Sequence, residues 1–191
     1  MDKILVETRD FVLAEMAKND AAHDGEHIRR VVELTRQLCD AYPQADRSRA
    51  LLLAWLHDMN DDKLRSDIGG DSIARFLESI GVPEAEIRFV CQALPYISYR
   101  KHPRLSPDTA LEIRIVQDAD RIDAMGAMGI ARTFAYGGAK GRSLDESLAH
   151  FDEKLLLLYD LLNTPEAKRI ALPRHNFLKE FYQQYKQESA L

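Results

Sequence analysis

Two adjacent side chains, His57 and Asp58, end the apolar run 51–56 and could together bind a divalent metal ion. His27 precedes this pair and Asp120 follows it, and each offers a further ligand atom. Metal-dependent hydrolysis needs neutral imidazoles and carboxylates that converge on one point, with open positions for water and substrate. A set of nitrogen and oxygen ligands without a thiolate suits Mn²⁺, Mg²⁺, Fe²⁺ or Co²⁺ better than it suits structural zinc.

The same residues also have ordinary structural interpretations. His57 could interact with the dipole at the C-terminal end of a helix, and Asp58 could be a simple loop residue. Ligands that lie far apart in the sequence are a weak signal when only their spacing is considered. Composition and spacing therefore leave both a metal site and a structural role open.

Three stretches resemble, in the same order, the three motifs of the HD-domain metal-dependent phosphohydrolase superfamily. They are AHDGEHIRRV at 22–31, LHD at 56–58 and IVQDADRIDA at 115–124. The continuation GAMGIARTF at 126–134 is similar to a narrower branch of stand-alone bacterial HD hydrolases. The resemblance implies an all-α fold, a bound divalent metal ion and hydrolysis of a phosphate ester or anhydride.

The resemblance also implies a ligand set for one metal ion, namely His27, His57, Asp58 and Asp120. Mn²⁺ is the favoured ion, and Mg²⁺, Co²⁺, Fe²⁺ and Ni²⁺ are alternatives. Asp120 is chosen because its Ala-Asp-Arg setting matches the last motif of the family, and Asp118 is the alternative. Only one of these two aspartates is expected to reach the ion, because residues two apart on a helix point to nearly opposite faces.

Two acidic residues, Asp61 and Asp62, follow the His-Asp pair by three and four positions. In related hydrolases, acidic residues in this place help to activate the attacking water. We therefore expect one of the two to be the general base. The alternative is that both belong to a solvated acidic loop.

Several cationic side chains near the motifs could hold the phosphate groups of a substrate. Arginine suits phosphate because of its planar fork of donors, and Arg30 lies one helical turn after His27 on the same face. The candidates are Arg30, Lys63, Arg100, Lys101 and Arg121. Each could equally be a surface charge, since charged side chains are mostly exposed. Tyr96 and Tyr99 could stack on a base or be ordinary surface aromatics.

Helical periodicity dominates the elements that must position these residues. Apolar residues recur at spacings of three and four, which is typical of amphipathic helices. The predicted helices cover about 4–16, 28–42, 50–56, 72–77, 83–94, 111–124, 143–162 and 165–185. Gly126 and Gly129 permit close packing or a bend, and 137–141 is predicted to be a flexible loop. We expect a compact multi-helix HD-domain fold in which residues 1–191 form a single domain, with a motif-bearing core at about 20–140 and C-terminal helices at about 143–188.

Composition excludes several classes of protein. The 191 residues are 46% apolar and 30% charged, and the net charge of −5 disfavours a basic nucleic-acid binder. The N-terminal apolar run is too short for a signal peptide and no stretch approaches a membrane span, so a cytoplasmic protein is expected. Cys39 and Cys91 lie in apolar helical segments and are predicted to be core residues.

The predicted function is hydrolysis of a small phosphorylated metabolite, with a nucleotide as the favoured substrate. A nucleoside triphosphate would be cut to monophosphate and pyrophosphate, or a monophosphate to nucleoside. The alternative is a non-catalytic nucleotide-binding or signalling module on the same fold. A two-iron oxygenase would need further histidine and aspartate ligands that the sequence does not place. The aromatic residues of the last helix could cover the core or form a homodimer surface.

Overall fold

The computed structural model describes residues 2–17, 25–59, 70–99 and 104–190. Throughout these ranges the regular structure is helical, so the predicted all-α class is confirmed. The helices are α1 (Asp2–Met16), α2 (Gly25–Ala41), α3 (Arg47–Leu56), α4 (Gly70–Ser79), α5 (Glu84–Ile97), α6 (Leu111–Asp123), α7 (Gly126–Ala139), α8 (Leu144–Glu153) and α9 (Pro165–Ser189). Two short 3₁₀ helices, Leu155–Leu157 and Tyr159–Leu161, lie between α8 and α9. Of the helices described, none has the length and apolar character needed to cross a membrane.

The chain divides into two compact units, Met1–Ala119 and Asp120–Leu191. In the first unit, α3 packs against α1, α2 and α5, and α4 packs against α5. In the second unit, α7 packs against α8 and α9. That residues 1–191 form one HD-type domain stays a prediction.

Helix α3 lies in the centre of the first unit. Every residue from Ala50 to Leu56 is buried, because this helix is apolar on all sides and is enclosed by its neighbours. Burial of one leucine side chain contributes about 2 kcal/mol. The carboxylate of Asp46 accepts the N–H of Arg49 at 3.0 Å and caps the start of the helix. The cap therefore fixes where α3 begins, and its neighbours enclose the rest of the helix.

Polar contacts join the N-terminal ends of α3, α5 and α6. Nε and Nη2 of Arg49 each donate to a carboxylate oxygen of Glu86 at 2.7 Å. The Arg49 guanidinium also lies 4.3 Å from the centroid of the Phe89 ring. The backbone N–H of Asp46 donates to Oε1 of Glu112 at 2.7 Å. These contacts hold the beginnings of the three helices together at one end of the first unit.

In the second unit, two arginines hold the last turn of α6. Nη1 of Arg132 donates to Oδ2 of the buried Asp123 at 3.0 Å. Nη1 of Arg174 donates to the carbonyl oxygen of Ile122 at 2.9 Å. The last carbonyls of a helix have no partner within the helix, and cationic side chains there satisfy them and favour the helix dipole. The turn that carries Asp120 is therefore held at its C-terminal end.

The sequence prediction was wrong at two places in the second unit. Helix α7 continues to Ala139, whereas 137–141 was expected to be a flexible loop. A Cβ atom at Gly137 would lie 2.0 Å from Oγ of Ser147, so the glycine lets α8 pack closely against α7. The helix expected over 143–162 ends at Glu153, and two short 3₁₀ helices replace its second half.

Aromatic residues of α9 contact aromatic side chains of α7 and α8. The rings of Phe151 and Phe181 stack with their centroids 5.8 Å apart. The ring centroid of Phe134 lies 5.9 Å from that of Phe181 and 6.2 Å from that of Tyr185. Phe177 is an exception, with 47% of its surface exposed. Phe181, Tyr182 and Tyr185 are half-buried, so this stripe lies at the edge of the core, and a homodimer surface stays a prediction.

The stability of the second unit is expected to depend on pH through His175. Its ring stacks on Tyr159 at 4.8 Å, and burial, followed by the charge of Lys179, lowers the pKa of His175 below its ordinary value of 6.5, with Asp160 opposing. The unfolded chain then binds the proton more readily, so stability is lost as the pH falls below about 6.5. In urea unfolding at about pH 7.5 and about pH 5.5, His175→Phe should lose less stability than the parent protein. Equal losses in the two proteins would contradict this assignment.

Candidate metal centre

His27, His57 and Asp58 form one cluster in the first unit. One ligand atom from each residue lies within 4.8 Å of the other two. Nε2 of His27 is 3.4 Å from Oδ2 of Asp58, and Nε2 of His57 is 3.5 Å from Oδ1. The two imidazole rings are nearly perpendicular, at 71°, with centroids 5.4 Å apart. Two imidazole nitrogens therefore face the two oxygens of one carboxylate.

The pairing of α2 with α3 brings the three residues together. A short connection, 42–46, joins the two helices, and they pack against each other. Helices joined by so short a loop run antiparallel, so the start of α2 lies beside the end of α3. His27 is in the first turn of α2, and His57 and Asp58 directly follow α3. The two histidines are 30 positions apart in the chain, and the packing of α2 against α3 brings them close together in space.

A backbone contact sets the orientation of the His57 ring. Nδ1 of His57 lies 2.8 Å from the carbonyl oxygen of Ala54, one helical turn earlier. A carbonyl oxygen only accepts, so Nδ1 carries a hydrogen, and in the neutral imidazole Nε2 is then the nitrogen with the lone pair. Metal-binding histidines commonly have their second ring nitrogen held in this way. Sequence reasoning missed this partner, although the spacing of three residues on a helix could have indicated it.

The donor set and its surroundings fit a divalent cation. Ligands about 2.1 Å from one ion lie about 3 to 4 Å from each other, close to the separations in this cluster. His27 and His57 are buried, whereas 34% of the Asp58 side chain is exposed. The cluster therefore opens to solvent on its carboxylate side. Two neutral nitrogens and a carboxylate suit Mn²⁺, Fe²⁺ or Co²⁺, and the absence of thiolate in this set disfavours structural zinc.

The predicted fourth ligand lies on α6. Asp120 is partly exposed and begins the second unit, and Asp118 is fully buried two residues earlier. Assignment of Asp120 to the metal, with Asp118 as the alternative, stays a prediction.

The other predicted site residues divide into two groups. Arg30 is partly buried on α2, one turn after His27. Arg121 is 1% exposed, and its Nη1 donates to the carbonyl oxygen of Leu161. This bond gives Arg121 a structural role in the second unit, and substrate binding by either arginine stays a prediction. Asp61, Asp62, Lys63, Arg100 and Lys101 lie outside the described residues.

The sequence is similar to known proteins of one family over most of its length. A model of the HD domain matches residues 24–125, which is more than half of the 191 residues. The uncharacterized protein YpgQ of Bacillus subtilis strain 168 is 34% identical over 187 residues, covering 94% of this chain and 91% of the relative.

Solved structures show the same likeness. The crystal structure of Bacillus subtilis YpgQ has a TM-score of 0.84 at 32% identity and covers 97% of this chain and 95% of its own. YpgQ in complex with ADP has a TM-score of 0.83 at 33% identity, with the same coverage of 97% and 95%. An HD-superfamily hydrolase from Bacillus thuringiensis has a TM-score of 0.78 at 37% identity and covers 97% and 96%.

Proposed function

Because this chain belongs to the HD-domain family and has the fold of an HD-superfamily hydrolase, we propose that it is a phosphohydrolase that acts on nucleotides. The observation that carries the proposal is the cluster of His27, His57 and Asp58, whose donor atoms lie within 4.8 Å of one another. A cluster of this composition, open on one side, is what metal-assisted hydrolysis requires.

The three clustered residues are the proposed protein ligands of one divalent ion, with Mn²⁺ favoured. When bound, such an ion polarises a phosphoryl oxygen and activates water for attack. The hydrogen bond from Nδ1 of His57 to the carbonyl oxygen of Ala54 turns the ring so that Nε2 faces the cluster. The assignment of Asp120 as fourth ligand is supported by the sequence resemblance alone.

Proton transfer and charge neutralisation are assigned to residues predicted from the sequence. Asp61 or Asp62 is the proposed general base, since each follows the His-Asp pair closely in the chain. The cationic side chains predicted from the sequence, Arg30, Lys63, Arg100, Lys101 and Arg121, are the candidates for holding phosphate oxygens.

A nucleotide is the preferred substrate class because of the likeness to YpgQ, which has been crystallised with ADP. Cleavage of a nucleoside triphosphate to monophosphate and pyrophosphate is proposed first, and dephosphorylation of a monophosphate second. The second reaction would release inorganic phosphate and a nucleoside, so the products distinguish the two.

The test is a panel of nucleoside tri-, di- and monophosphates incubated with the purified protein and Mn²⁺, Co²⁺ or Mg²⁺. We expect turnover with at least one nucleotide class, dependence on added metal, and loss of that turnover after chelation, because water activation needs the ion. Separate assays for pyrophosphate and phosphate identify the bond that is cut. Binding of nucleotides without turnover under every metal would contradict the proposal and favour a non-catalytic nucleotide-binding module.

A further inference from the structure

A recess in the surface of the first unit is lined by α1, the first half of α3 and the beginning of α5, and its volume is about 180 Å³. We propose that this recess binds a small uncharged molecule built on a single ring, at a site separate from the metal centre. Such a molecule carries no phosphate, so the site is independent of the proposed hydrolysis of nucleotides. The volume, the apolar lining and the local charge each point to this class of ligand.

Apolar side chains make up most of the lining. They belong to Ile4, Leu52, Val82, Pro83 and Ala85. Leu52 and Val82 are 2% and 6% exposed, whereas the exposed Pro83 and Ala85 lie at the surface, so the recess extends from solvent to the core. An apolar cavity of about 150 Å³ can hold a benzene molecule. The recess is therefore large enough for one ring, and removal of that ring from water favours binding.

The connection between α4 and α5 gives the recess a fixed apolar wall. The N–H of Gly81 donates to the carbonyl oxygen of Glu78 at 3.0 Å. The N–H of Val82 donates to the carbonyl oxygen of Leu77, also at 3.0 Å. With a φ of +80° at Gly81, these two bonds form the Schellman arrangement that ends a helix. Val82 is thereby held in place, and a ligand that contacts it needs to order little of the protein.

The charged side chains at the recess already have partners. Nε and Nη2 of Arg49 donate to the two carboxylate oxygens of Glu86, both at 2.7 Å, and the guanidinium lies over the Phe89 ring. Oδ1 of Asp46 accepts the N–H of Arg49, and Asp46 is exposed to water. A charged ligand would therefore lose hydration without gaining a buried partner of opposite charge. An anion would also be repelled, because two carboxylates and one guanidinium leave a net negative charge here.

The recess and the metal centre lie at different ends of α3. Arg49 and Leu52 line the recess, and His57 directly follows the last residue of the helix. His57 is eight positions after Arg49, which corresponds to about 12 Å along the helix axis. Binding at the recess can therefore be measured without metal or nucleotide, and failure of either proposal leaves the other standing.

Two alanines provide a variant and its matched control. Ala85 is the second residue of α5 and lines the recess, and Ala127 is the second residue of α7 in the other unit. Both alanines are exposed. Ala85→Leu places a bulkier side chain at the recess, whereas Ala127→Leu makes the same change away from it.

The experiment titrates benzyl alcohol into nitrogen-15-labelled protein and follows the backbone amide signals by NMR. This probe has one ring, no charge and one hydroxyl, which suits the hydroxyl of Ser48 in the lining. We expect saturable changes at the amides of the recess, such as those of Leu52 and Val82, with a Kd on the order of 1 mM. Ala85→Leu should weaken binding by at least about tenfold because it fills the recess, and Ala127→Leu should stay within about twofold of the parent.

Two charged probes with the same ring test the class of ligand. Benzylamine is a cation at neutral pH and benzoate is an anion, and each should bind at least about tenfold more weakly than benzyl alcohol. Equal or tighter binding of either probe would overturn the uncharged class. The site itself would be overturned by a parent protein that shows no saturation or responds only at amides outside the recess. Undiminished binding to folded Ala85→Leu would do the same, and if that variant does not fold, the response of the parent protein decides.

Discussion

Replacing His57 with alanine should lower phosphohydrolase activity by about a thousandfold and remove tight Mn²⁺ binding. Replacement of a group that merely orients a ligand already costs about 10- to 100-fold in affinity or activity, and loss of the ligand itself must cost more. His57 is one of three clustered donors, and its ring is held by the Ala54 carbonyl, so its replacement removes one of the two imidazole ligands.

Binding can be followed by titrating Mn²⁺ into the protein in a calorimeter. The parent protein should bind the ion tightly, whereas folded His57→Ala should not. His150→Ala is the control, because that imidazole lies on α8 and is 3.9 Å from Glu153. More than about a tenth of the parent activity in folded His57→Ala would remove the metal centre from the mechanism.

Mn²⁺ should also stabilise the native protein, because the ion binds the native state and not the unfolded chain. At a concentration about 100-fold above the Kd, binding to the native state alone adds about 2.7 kcal/mol to the free energy of unfolding. For a chain of this size, that corresponds to a rise of about 5–10 °C in Tm. A chelator should return Tm to the metal-free value.

Asp58→Asn should lose most of this metal-dependent rise. The amide offers a neutral oxygen in place of the charged carboxylate that faces both imidazoles at 3.4 and 3.5 Å. Asp108→Asn, an exposed aspartate before α6, is the control and should keep the full rise. An undiminished rise in Asp58→Asn, measured with the same excess of Mn²⁺, would show that the ion binds elsewhere.

Local patterns predicted the helices that have a clear apolar face or a clear cap. Apolar residues at helical spacing predicted α1 and α2, and an aspartate, Asp46, caps the start of α3. The glycines at 137 and 138 were misread, because glycine on its own indicates a loop. At Gly137 the glycine allows Ser147 to pack closely against α7, which is a tertiary contact and leaves no local signal.

The candidate metal centre could be predicted from the resemblance to the HD motifs, but not from the spacing of its ligand residues along the chain. His27 and His57 belong to different helices, and the contact between them depends on an antiparallel pairing that the sequence shows only indirectly, through a short loop. Resemblance to the HD motifs supplied that missing information. The bond between Gln117 and Tyr96 had no counterpart in the prediction, because a buried amide that reaches a distant backbone carbonyl has no signature in one sequence.

The α2–α3 pairing has a consequence for the order of folding. The three clustered donors fall within residues 27–58, so they meet through a contact of low sequence separation. Closing so short a stretch costs little chain entropy, and such contacts form early. A divalent cation that binds at that stage would link the two forming helices. The remaining segments would then fold against this helix pair.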